Sequence, residues 1–196
     1  GRAPSPGSGA RWHASAALVG RLSHDQHIFV KVAAPRERRV CDDGQDYNLS
    51  KICMVYDDAL RVGGTHTFAF SLLDGELGLA DGAGFTFDNA VRRRPLWQMS
   101  TIFMNKRGYI CLRRGKNVSK LQVQLPKLFT GKRLDFTIDL DKAKARFEVI
   151  GPDGALEGKA DVSFAAMFDE LGQGPAQISS GFFCAIVTGN ASVGLD

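Results

Sequence analysis

Gly131-Lys-Arg-Leu-Asp-Phe-Thr-Ile-Asp-Leu-Asp-Lys-Ala-Lys-Ala-Arg-Phe-Glu-Val149 decides the fold. Leu134, Phe136, Ile138 and Leu140 alternate with Asp135, Thr137 and Asp139, the two-residue period of a strand with one dry and one wet face. Asp141-Lys142 supplies a turn, after which Ala143, Ala145, Phe147 and Val149 alternate with Lys144, Arg146 and Glu148. Two such strands in succession predict an antiparallel hairpin laid over a core.

The same kind of signal recurs along the chain. His27 to Ala33, Lys51 to Tyr56, Thr65 to Leu73, Glu76 to Leu79 and Ala83 to Phe87 read as strands, set off by Asp57-Asp58, Gly63-Gly64, Asp74-Gly75 and Asp81-Gly82 turns. Thr101 to Met104 and Tyr109 to Leu112 form a second hairpin about Asn105-Lys-Arg-Gly108. Lys120 to Leu125 stops at Pro126, and Gly181 to Thr188 with Ala191 to Leu195 closes the series. One short amphipathic helix is expected at residues 163–171, with Phe164, Met167, Phe168 and Leu171 on one face and Ser163 as cap. Many short strands without βαβ alternation predict an all-β protein, an antiparallel β-sandwich with that one helix.

Residues 1–24 read differently. Pro, Gly, Ser and Ala dominate the first part, no acidic residue precedes Asp25, and the stretch offers little to bury. It is expected to be an irregular extension, leaving residues 25–196 as the sandwich. A trimmed organellar transit peptide and an interdomain linker share this composition, so a cytosolic and an organellar location both stay open.

The chain has 196 residues, 44% of them hydrophobic and 23% charged, an ordinary globular balance. No apolar run approaches the roughly 20 residues of a membrane-spanning helix. A formal net charge of +4 leans toward an acidic partner. The basic groups (Arg36, Arg38 and Arg39; Arg92 to Arg94; Arg113, Arg114 and Lys116) lack the interleaved aromatics of a nucleic-acid groove, so nucleic acid is disfavoured. Cys41, Cys53, Cys111 and Cys184 form no CxxC pair, which disfavours a zinc site, and reduced structural thiols are expected. Sequons stand at Asn48, Asn117 and Asn190 and are read as incidental.

Three segments carry a resemblance to a known family. Gly63-Gly-Thr-His-Thr-Phe-Ala-Phe70 resembles the "G-x-H-Y-F-E-V" strand of SPRY (B30.2-like) domains. Ile138-Asp-Leu-Asp-Lys-Ala-Lys-Ala-Arg-Phe147 resembles their "L-D-Y-E-x-G-T-L-S-F" segment, and Gly181 to Val193 their closing "P-x-x-S-L-G-x-x-x-x-V" strand. The resemblance implies a concanavalin-like jelly roll that binds protein or peptide through loops at one end and catalyses nothing. It transfers no binding residue, because those differ between members.

Asp81-Gly-Ala-Gly-Phe-Thr-Phe-Asp-Asn89 resembles the "D-G-x-A-F" strand of legume-type lectins, where Asp88 and Asn89 would offer oxygen ligands to calcium; turn formation explains the same residues. A glycosidase needs paired carboxylates, and Asp139 with Asp141 only flank a turn. His13, His24, His27 and His66 neighbour no nucleophile motif, and no phosphate-cradling loop precedes a helix. No enzyme, cofactor or metal site is therefore expected. The candidate contact surface is the loop with Arg92, Arg93, Arg94 and Trp97, which joins guanidinium donors to a large anchor. The reading is a protein-interaction module, an accessory subunit of a larger assembly, with a carbohydrate-binding lectin-like module as the alternative.

Overall fold

The computed structural model describes residues 9–31, 39–40, 46–47, 54–87, 99–114, 117–165 and 178–196. Its strands are β1 (Arg21–Leu22), β2 (Ile28–Val30), β3 (Arg39–Val40), β4 (Asp46–Tyr47), β5 (Met54–Tyr56), β6 (Arg61–Val62), β7 (Thr65–Gly75) and β8 (Gly82–Thr86). They continue with β9 (Ser100–Asn105), β10 (Tyr109–Arg114), β11 (Asn117–Gln124), β12 (Arg133–Asp139), β13 (Lys144–Ile150), β14 (Leu156–Ser163), β15 (Ser180–Ile186) and β16 (Ala191–Leu195). One sheet runs β1-β2-β16-β7-β12-β13-β14; the other runs β11-β10-β9-β8-β15-β5, with β6 also on β15, and β3 pairs β4 separately.

The deciding hairpin forms as read. Phe136 pairs Phe147 and Ile138 pairs Ala145, which puts Leu134, Phe136 and Ile138 on one face with Ala145, Phe147 and Val149. The Asp139 carboxylate accepts the Lys142 amide at 2.9 Å and closes the turn, and Ala143 adopts φ 52° to complete it. Phe68 and Phe136 from this sheet meet Phe183 of the other at 4.8 and 5.9 Å between ring centres. Those rings are fully buried, and each such side chain stabilises the fold by about 2–3 kcal/mol relative to exposure. The two antiparallel layers thus form the expected all-β sandwich, of jelly-roll type.

Several details depart from the sequence reading. Glu76 to Leu79 is not a strand, because Asp81 folds this stretch into a turn. The unexpected β14 exists because its backbone completes the first sheet against β13; Gly158, Lys159 and Asp161 hide the alternation of a solvated edge. Most of the helix expected at 163–171 lies outside the described residues, and Ser163 ends β14.

The second half of the head does have something to bury. Trp12 is fully buried, its ring 6.2 Å from both Phe70 and Phe183. The Trp12 amide donates to the Gln26 carbonyl, the His13 amide donates to that of Tyr56, and the His13 ring stacks on the Tyr56 ring at 4.9 Å. A 3-10 helix, Ala14–Leu18, follows. Composition hides this because a single Trp among small residues is enough to anchor a segment. Among the described residues no helix is long and apolar enough to cross a membrane.

Candidate functional site

The Arg92, Arg93, Arg94 and Trp97 loop lies outside the described residues, as do Asp88 and Asn89. Its flanks Phe87 and Ser100, joined by a hydrogen bond, sit at one end of β8 and β9. At the opposite end, where Gly82 faces Asn105, three connections converge on a groove of about 540 Å³.

The first connection leads from β7 to β8. Asp81 is buried there, and its carboxylate accepts from the Gly78 amide at 2.6 Å, the Thr188 amide at 2.7 Å, the Thr188 hydroxyl at 2.6 Å and the Gly189 amide at 3.0 Å. The Asp81 amide returns a bond to the Gly78 carbonyl at 3.0 Å. Both carboxylate oxygens are thereby engaged, so Asp81 is a clamp between two loops rather than a calcium ligand. The turn it closes displays Leu79 at 77% exposure.

The second connection is the β9–β10 turn. The Asn105 side chain accepts the Arg107 and Tyr109 amides at 3.0 and 3.1 Å, fixing its shape. Lys106 reaches back, its amide to the Asp81 carbonyl at 2.7 Å and its ammonium to the Leu77 carbonyl at 2.6 Å and the Glu76 carboxylate at 3.0 Å. The Arg107 guanidinium lies 5.7 Å from the centre of the Tyr109 ring.

The third connection, between β11 and β12, carries Lys127, Leu128 and Phe129. The Leu128 amide donates to Lys106 at 2.8 Å, the Thr130 hydroxyl to Gly75 at 2.8 Å and the Gly131 amide to Leu72 at 2.9 Å, each to a carbonyl. Lys132, itself buried, sets its ammonium 4.0 Å from the Phe129 ring centre and 2.5 Å from Glu157. Phe129 is therefore held from behind while 53% of it stays exposed.

The result is a hydrogen-bonded shelf of exposed Leu79 and Phe129 beside buried Leu72 and Leu128, bordered by Lys106, Arg107 and Lys127. Sequence reasoning missed it because the three connections are far apart in the chain, around residues 79, 106 and 128. The one local signal was Leu128-Phe129 in a stretch with no strand period, after Pro126.

The other residues weighed for chemistry are structural. His66 Nε2 meets the Gly63 carbonyl at 2.7 Å and His27 Nδ1 that of Leu195 at 2.8 Å. Asp139 is spent on its own turn, 3.6 Å from the Lys142 ammonium. Cys111 and Cys184 are free thiols, and burial pushes the Cys111 pKa up, away from reactivity. Among the described residues no three His, Cys, Asp or Glu side chains gather as a metal site would require.

No family model and no curated protein matches the chain. Among solved structures it is similar to the TRIM65 PSpry domain, with a TM-score of 0.57 at 11% identity over 95% of this chain and 91% of that one. The SPRY domain of human HERC1 gives 0.48 at 10% identity over 86% and 87%. The carbohydrate-binding module CBM66 from Bacillus subtilis gives 0.43 at 11% over 73% and 77%. The first likeness covers nearly the whole chain and identifies the fold as SPRY-like.

Proposed function

We propose that the chain is a binding module that acts through protein contacts and not through catalysis, with the groove of Leu79 and Phe129 as its principal contact. One observation carries the reading: two large apolar side chains stand exposed on loops that hydrogen bonds tie to one another and to the sheet. Exposed apolar side chains that share one groove with a polar rim mark a contact surface, whereas those scattered singly do not. Preorganisation lowers the entropy lost when a partner covers it. SPRY domains bind proteins, which agrees with this use of the fold.

The finer reading is an accessory subunit of a larger assembly, cytosolic or organellar, with Arg92, Arg93, Arg94 and Trp97 as a second contact proposed on residue type alone. Its test is the native size of the protein in cell extract. Elution well above the mass of its own denatured polypeptide in the same extract is expected, and elution at that mass would remove the subunit reading. The groove itself is tested with peptides selected from a displayed random library against the full chain. Binding should fall about tenfold or more in Leu79→Ser and in Phe129→Ser with unchanged thermal unfolding; selected peptides indifferent to both would refute the site.

A further inference from the structure

We infer that the occupant of this groove is an extended acidic peptide segment carrying one bulky apolar side chain. The inference rests on the groove being the binding site proposed above and adds what it selects. Arg107 and Lys127 are exposed at its border, and neither has a carboxylate partner among the described residues. Glu76, the only acid of the lining among the described residues, is already matched by Lys106 at 3.0 Å. The lining therefore has a surplus of positive charge around an apolar floor. A segment with one large apolar residue would cover Leu79 and Phe129, and flanking Asp or Glu would answer Arg107 and Lys127.

The arrangement favours peptide over nucleic acid. Leu72, Leu79 and Leu128 cannot stack bases, and Phe129 has Lys132 on it already. Two cations without carboxylate partners among the described residues also make a short footprint for a phosphate backbone.

Displayed random dodecapeptides selected against the full chain provide the test. Enriched peptides should place Asp or Glu on either side of Phe, Leu or Trp. Their affinity should fall with added salt and by about tenfold in a variant with both Arg107→Glu and Lys127→Glu. That variant should instead enrich basic flanks, which shows that it is folded. Peptides that need Phe129 but carry no acidic bias, or bind the charge-reversed variant equally, would overturn the acidic inference while leaving the groove in place. Peptides insensitive to Phe129→Ser would overturn the groove itself. A single-stranded oligonucleotide that displaces the selected peptides at micromolar concentration would overturn the choice of peptide.

Discussion

The carboxylate of Asp81 holds the amide and the hydroxyl of Thr188, 107 residues further along the chain, at 2.7 and 2.6 Å. This tie fastens the loop that displays Leu79 to the connection between β15 and β16, so the exposed residue stands on the core rather than on a free loop. Asp81→Ala leaves the Gly78, Thr188 and Gly189 amides with no acceptor. Urea unfolding should show a loss of about 2–4 kcal/mol, and groove binding should weaken with it. A loss below about 0.5 kcal/mol would mean that water replaces the clamp.

Trp12→Ala tests whether the head belongs to the fold. A buried Trp packed between Phe70 and Phe183 should cost about 3–5 kcal/mol on truncation, read from chemical denaturation. A linker or processing remnant would cost nothing.

Gly84 shows how closely β8 lies against β9. A Cβ there would stand 2.0 Å from the Ile102 carbonyl oxygen, in backbone that cannot rotate away. Gly84→Ala should destabilise the protein by about 3 kcal/mol or more. Soluble variant with a wild-type melting curve would show that the two strands can part.

Acid should act through the Asp139 carboxylate and not through that of buried Asp57. Asp139 is held below the ordinary value of 3.8, first by the Lys142 amide it accepts, so its contribution is present above that value and is lost as pH falls through the lower folded one. Asp57 goes the other way: burial raises its pKa despite the Arg61 guanidinium at 2.7 Å, so its contribution diminishes as pH rises through the folded value and acid does not remove it. Melting temperatures of wild type and Asp139→Asn should therefore differ at neutral pH and converge below about pH 3. A constant difference across that range would contradict the assignment.

The legible part of the fold was the part where one face is wet and one dry. Leu134 to Val149 announces its own register because Asp, Thr, Lys and Arg alternate with the core residues. Gly82 to Thr86 was found from Phe85 and Phe87 although every residue of that strand is buried. Strand Leu156–Ser163 was not found, because an edge strand carries charge that blurs its period. The groove was out of reach for another reason: Leu79, Lys106 and Phe129 become neighbours only through the Asp81 and Lys106 hydrogen bonds, and no local pattern encodes exposure. Arg92 to Trp97 drew notice through its residue types, which say what could bind but not where the fold gathers a surface.

Amide hydrogen exchange of the full chain, with and without a selected acidic peptide, tests the account most directly. Slowed exchange is expected at residues 76–81, 105–108 and 127–131, the three connections that hold Leu79, Arg107 and Phe129. Protection confined to the other end of the sandwich, around residues 57–64 and 140–143, would contradict it.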